Sequence, residues 1–186
     1  MTVLEAIAAR RSVRDFADTP VARETVEQLL DAAVQAPSAM NAQNWAFGVI
    51  QSVDRLRELG ERARVAFVAM LDAQGMTGDF RDHVADPSFA PFYNAGTLVV
   101  IYAIPGPPLG TINCALAAEN LMLAAAEAGL GTCWIGIAGP FLDDAVVKGE
   151  LGVPDEYEAV AALIVGYPAT EGTPPTKNPP QVLYWQ

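Results

Sequence analysis

Basic charge is scarce in this chain. Eleven Lys and Arg stand against 22 Asp and Glu, a formal net charge of −11. Nucleic acids and anionic membranes both require a basic footprint, so neither is an expected partner. Cysteine is almost missing. Cys114 and Cys133 both lie in apolar segments and make no disulfide framework, the usage expected of reduced thiols in a cytoplasmic protein. Histidine occurs once, as His83. A Ser-His-Asp triad or a His-rich metal cluster would have to form around it, and no neighbouring pattern supports either. His83 is expected to face solvent and no metal site is expected. No uncharged apolar run reaches the roughly 18 residues that a spanning helix needs. Glu5, Arg10 and Arg11 interrupt any signal-peptide core at the start. No internal repeat is visible.

What is present is apolar residue in quantity. Hydrophobic residues make up 52% of the 186, and charged residues 18%, the composition of a packed domain. Thr2 and Glu5 have the spacing of a capping box, so a short helix should run to about residue 10. Val26, Leu29, Leu30 and Ala33 make one apolar face of a helix over 22–35, which Pro37 stops. Residues 45–51 read as a strand, and 54–73 as a long helix with Leu56, Leu59, Ala63, Phe67 and Met70 on one face. Gly60 weakens that helix locally. Residues 74–94 carry Gly75, Gly78, Pro87 and Pro91 and read as irregular. Residues 97–104 are continuously apolar, the mark of a central buried strand. Residues 111–128 read as a helix buried on most sides, capped by Gly129 in a left-handed conformation. Another helix is expected over 141–151 and a last strand over 158–166. The remaining residues, 167–186, hold Pro168, Pro174, Pro175, Pro179 and Pro180 and form no internal helix. Yet they end in Val182, Leu183, Tyr184 and Trp185, which should bury against the body or a partner subunit.

Two polar stretches stand apart from this framework. Residues 10–14, Arg-Arg-Ser-Val-Arg, put three arginines into five positions of an acidic chain. They read either as a solvated turn with surface ion pairs or as an anion site, because guanidinium forks match phosphate geometry and a Ser hydroxyl adds a bond. Residues 37–45, Pro-Ser-Ala-Met-Asn-Ala-Gln-Asn-Trp, join a helix to a strand. They read either as a plain solvated loop or as a grip on a polar planar ligand, with Ser38, Asn41 and Gln43 supplying donors and acceptors. Residues 129–136, Gly-Leu-Gly-Thr-Cys-Trp-Ile-Gly, are not a dinucleotide fingerprint, since the glycine spacing is wrong and they follow a helix.

These three stretches, together with Gly166-Tyr167-Pro168 before the Pro-rich tail, occur in an order and at separations that resemble the nitroreductase family of FMN-dependent oxidoreductases. The resemblance covers essentially the whole chain and is weakest over 74–94. It implies an α+β fold, a central antiparallel sheet flanked by helices. Residues 1–166 would form the FMN-binding domain and 167–186 an extended arm of the same domain crossing to the partner of an intertwined homodimer. It further implies FMN sites at the dimer interface. Arg10, Arg11, Ser12 and Arg14 would contact the phosphate, ribityl chain and pyrimidine edge. Pro37, Ser38, Ala39, Met40 and Asn41, with Gln43 nearby, would come from the other subunit. Trp134, Ile135 and Gly136 would lie along the isoalloxazine, and Lys177 would help neutralise the phosphate. The chain departs from the family at Asn44, where Pro is usual, and in the tail, where an Arg near the phosphate is usual and only Lys177 is available.

No catalytic side chain is expected, because a flavin carries hydride transfer itself while the protein positions it. The implied activity is NAD(P)H-dependent reduction of nitroaromatics, quinones or related electron-poor small molecules by a ping-pong route. The alternatives are a family member acting on one specific metabolite by oxidation, dehalogenation or flavin breakdown, or a flavin-binding dimer without turnover. Phe80, Phe89, Phe92 and Tyr93 are the candidate roof of the substrate pocket.

Overall fold

The apolar run Thr97–Ala103 forms strand β2, buried along its whole length. Leu98, Val100 and Tyr102 enter one core while Val99, Ile101 and Ala103 enter another. Both faces are covered, so the segment shows no polar alternation. The structure, a computed structural model, describes residues 1–173 and 175–186. Pro174, one of the tail prolines, lies outside the described residues.

Strands β1 (Trp45–Ile50) and β4 (Glu158–Gly166) flank β2, and β3 (Gly131–Trp134) pairs with the far side of β4. Every pairing is antiparallel, in the order β1-β2-β4-β3. Helices α2 (Arg23–Ala33) and α5 (Gly110–Glu127) cover one face of the sheet. Helix α3 (Val53–Ala73), α6 (Gly139–Leu142) and α7 (Ala145–Leu151) cover the other. Helix α1 (Val3–Ala9) packs on α5. The result is the α+β architecture expected, with a four-stranded antiparallel sheet between helical layers.

Local chemistry sets the ends of these elements. The Thr2 N–H donates to Glu5 Oε2 at 2.7 Å, and the Glu5 N–H donates to Thr2 Oγ1 at 3.3 Å, a closed capping box. Gly129 takes φ +73° after α5. There the Leu130 N–H donates to the Ala125 carbonyl at 2.8 Å and the Gly129 N–H to that of Ala126 at 3.2 Å, which satisfies two orphan carbonyls. Gly60 is tolerated inside α3 because a Cβ there would come within 3.3 Å of the Phe92 ring.

Two sequence expectations need correction. Residues 74–94 are not irregular throughout, since Asp79–Ala85 forms helix α4. It is tied to α3 at both ends. Arg81 donates to Asp72 at 2.9 and 3.0 Å, and the buried Arg64 donates to the Ala85 carbonyl at 2.9 Å. The helix is short, with only Val84 buried, so its periodicity does not show in the sequence. Residues 141–151 are not one helix but the end of α6 and then α7. Asp144 makes the break, its carboxylate accepting from the Val146 and Val147 N–H groups as an N-cap. Beyond Pro168 the tail forms no helix or strand among the described residues, and Trp185 is 92% exposed. The apolar end does not bury against the body of its own chain.

Candidate functional site

Residues 10–17 run as an extended segment along the β3 edge. Ser12 bridges Thr132, and the Val13 N–H donates to the Thr132 carbonyl at 2.9 Å. Further on, Phe16 bridges Pro168, and the Ala17 N–H donates to the Tyr167 carbonyl at 2.8 Å. Asn94 clasps the same turn from the other side, its Oδ1 accepting from the Phe16 N–H at 3.0 Å and its Nδ2 donating to the Phe16 carbonyl at 2.7 Å. Gly131 and Gly166 explain how the segment comes so close. A Cβ at Gly131 would lie 2.6 Å from Val13 Cγ2, and one at Gly166 would lie 2.8 Å from Phe16 Cδ1. Two of the motif glycines therefore make room for the arginine segment.

The charges in that segment are unusual for this protein. Arg23, Arg55, Arg57, Arg62, Arg64 and Arg81 each hold a carboxylate within 3.0 Å. Arg10 reaches only Glu119, at 3.7 Å. Arg11 donates to the Ala9 carbonyl at 3.1 Å, and Arg14 and Ser12, both exposed, have no side-chain partner among the described residues. In a chain with twice as many acids as bases, three arginines without a tight carboxylate are a donor set suited to an anion. Arg10, Arg11, Val13, Gly131, Thr132 and Glu171 line a cleft of about 510 Å³. The tail starts beside it, with Arg11 Nε 3.0 Å from where a Cβ on Gly172 would stand. Lys177 is exposed farther along the tail.

At the other end of β3 the chain turns out of the sheet. Ile135 is buried and its N–H donates to the Ala162 carbonyl at 2.8 Å. Trp134 is 38% exposed, and a Cβ on Gly136 would meet nothing within 4 Å. Bare backbone is therefore presented next to an aromatic face.

Residues 37–43 hold a backbone that sequence reasoning did not foresee. Met40, Asn41 and Gln43 have φ of 53°, 54° and 47°, left-handed values that a non-glycine residue adopts only when its surroundings require it. Ser38 Oγ accepts from the Gln43 N–H at 3.0 Å. Asn113 Oδ1 accepts from the Ala39 N–H at 3.1 Å, and Asn113 Nδ2 donates to Asn44 Oδ1 at 2.8 Å. Both asparagines are buried. The available signal was an amide, Asn113, in the first turn of a mostly apolar helix. Among the described residues, no hydrogen bond joins 37–43 to 10–14 or 134–136 of the same chain, and none of residues 37–43 lines the cleft beside Arg10 and Arg11.

The four candidate roof aromatics separate. Phe89, Phe92 and Tyr93 line a cleft of about 760 Å³ with Pro20, Gln51 and Gly60, and no residue of 10–14 or 134–136 shares it. Phe92 is 3% exposed and is core. Phe80 instead packs edge-on against Phe67, ring centroids 6.3 Å apart. Phe67 lines a third cleft, of about 360 Å³, with Met70, Ile137 and Pro140, directly after Gly136. His83 is exposed and meets the Phe89 ring edge-on, centroids 4.9 Å apart. Burial pushes the Cys114 thiol up to about 11, with Glu158 adding to the effect, so it is protonated and inert at neutral pH.

A four-stranded antiparallel sheet covered by helices on both faces, with an arginine-rich extended segment beside β3, defines a protein of the α+β class. A sequence profile of the Nitroreductase family matches residues 7–167, and the chain belongs to that family of oxidoreductases. An Archaeoglobus fulgidus protein whose name includes NADH dehydrogenase/NAD(P)H nitroreductase is 28% identical over 173 residues, covering 90% of this chain and 86% of that one. The 5,6-dimethylbenzimidazole synthase of Rhodospirillum rubrum is 30% identical over 182 residues, covering 87% and 80%. The crystal structure of a Bacteroides fragilis nitroreductase with bound FMN matches with a TM-score of 0.81 at 30% identity, covering 100% of this chain and 98% of that chain.

Proposed function

We propose that this chain binds FMN and passes hydride from NAD(P)H to nitroaromatic, quinone or related electron-poor acceptors. The observation that carries the proposal is the set of three arginines, Arg10, Arg11 and Arg14, that lack a tight carboxylate while the six others have one. Hydrogen bonds to charged groups contribute roughly 1.5–3 kcal/mol each, enough for two or three donors to hold a phosphate. The neutral, exposed hydroxyl of Ser12, on the same extended segment, fits the ribityl chain. Bare backbone at Gly136 fits close approach of a flat ring, and the exposed Trp134 offers it a face.

When bound, FMN supplies the hydride relay, in two half-reactions at one face. The residues position it and exclude water. Gly136 would admit the ring, and Pro37, Ser38, Ala39, Met40 and Asn41 of the partner subunit, with Gln43 nearby, would help to hold it. Lys177 adds positive charge near the phosphate as a point charge without a fork.

A homodimer completes this reading. Val3, Leu4 and Ile7 on α1 and Ile112 and Leu116 on the adjoining α5 are exposed, as are Met40 and Leu183. A monomer exposing so much apolar surface is unusual, and a second copy crossed by the tail would cover it.

A second reading, action on one specific metabolite, is favoured by the 30% identity to a synthase. Initial rates of NADH and NADPH oxidation at several nitroaromatic concentrations separate the two. Parallel double-reciprocal lines are expected. Intersecting lines would contradict shared use of one face, and no acceptor-dependent oxidation would favour the second reading.

A further inference from the structure

Within the loop that this reading gives to the cofactor, an amide relay stands out. The Ala39 N–H donates to Asn113 Oδ1 at 3.1 Å. Asn113 Nδ2 donates to Asn44 Oδ1 at 2.8 Å, and Asn44 Nδ2 donates to the Ile104 carbonyl at 3.2 Å. All three donors point the same way. Turning either amide over would place donor against donor or acceptor against acceptor, so only one orientation satisfies the set. Asn113 is 2% exposed and Asn44 7%, and buried relays of this kind hold their members rigidly. Gly110 lacks the side chain that would block it, since a Cβ there would lie 3.0 Å from Asn44 Nδ2 and 3.3 Å from Ala103 Cβ.

What the relay ties to the body is the start and end of a loop whose remaining bonds are internal, from the Asn41 N–H to the Ser38 carbonyl at 2.9 Å and from the Gln43 N–H to Ser38 Oγ at 3.0 Å. The left-handed φ values at Met40, Asn41 and Gln43 lie between Ala39 and Asn44, the two residues that Asn113 touches. In this chain Asn44 stands where the resembled family usually has Pro, so a fixed φ is replaced by a hydrogen-bonded anchor.

We infer that Asn113 is a positioning residue: with Asn44 it locks residues 39–43 in their left-handed conformation and thereby sets the affinity of the flavin ring, a step that rests on the cofactor reading above. The helix that carries Asn113 belongs to the same chain as the loop, so the lock is set before any ligand or second subunit arrives.

Amide hydrogen exchange on apo-protein and flavin titration test this together. Asn113→Ala should raise exchange at Ala39 about tenfold or more, with exchange at Val99 and Val100 in β2 unchanged. FMN and riboflavin should both weaken about tenfold, because the loop meets the ring and not the phosphate. Asn44→Ala, which leaves the Ala39 bond in place, should produce the same pattern to a smaller degree, and it serves if Asn113→Ala does not fold. Unchanged Ala39 exchange in the folded variants overturns the lock. Raised exchange with unchanged flavin affinity overturns its link to the cofactor. If the wild type binds no flavin, the cofactor reading falls while the exchange data still judge the lock.

Discussion

Val13 occupies the space that a side chain at Gly131 would need. A Cβ at Gly131 would stand 2.6 Å from Val13 Cγ2 and 2.7 Å from Val13 Cβ. Val13 cannot swing away, being β-branched and tied by its N–H to the Thr132 carbonyl at 2.9 Å. The contact is what seats Ser12 and the arginines beside β3.

Gly131→Ala should therefore push residues 10–14 off the β3 edge. The expected cost is about 1–3 kcal/mol of stability, the range for an overpacked contact, with a loss of FMN affinity beyond it. Denaturant unfolding and FMN titration measure both. An unchanged midpoint with unchanged affinity would show that the segment tolerates displacement.

Phe92 and Phe80 should respond differently to truncation. Phe92 is buried against Gly60, so Phe92→Ala should cost about 3–5 kcal/mol. Phe80 is 54% exposed and leans on Phe67 beside the cleft after Gly136. Phe80→Ala should leave stability within roughly 0.5–1 kcal/mol and shift the ratio of kcat/KM between a small and a large acceptor. A stable Phe92→Ala protein, or identical acceptor ratios for Phe80→Ala, would refute the separation.

Removing the residues after Pro168 should weaken self-association and flavin retention, because the exposed Leu183 and Trp185 need a partner surface. Sedimentation of full-length and truncated protein gives the answer. A full-length protein that sediments as a monomer would contradict the dimer.

Most of the architecture was legible because the strong signals were local. The Thr2–Glu5 box, the stop at Pro37, the continuous run before Pro105 and the left-handed cap at Gly129 each depend on a few adjacent residues. Helix α4 escaped notice because its anchors, Arg81 to Asp72 and Arg64 to Ala85, come from another helix. The break between α6 and α7 depends on which N–H groups Asp144 accepts from, and an Asp pair inside an apolar pattern does not announce that. In the site, the arginine cluster was visible as composition, but its lack of tight partners is a property of the fold. The Asn113–Asn44 pair joins residues 69 apart in sequence, and no spacing rule links them. The role of Gly131 is likewise set by Val13, which lies more than a hundred positions earlier.

The central claim is that the Arg10 cluster holds the phosphate of FMN, and a fluorescence-quenching titration of apo-protein with FMN and with riboflavin tests it most directly. Wild-type protein should bind FMN at one per protomer and more tightly than riboflavin. Arg10→Ala should lose about tenfold or more in FMN affinity, from the roughly 1.5–3 kcal/mol of a charge-assisted bond. Lys177→Ala should lose less, and riboflavin should be nearly indifferent to both changes. Equal losses for FMN and riboflavin, or no quenching of either by wild-type protein, would contradict the assignment.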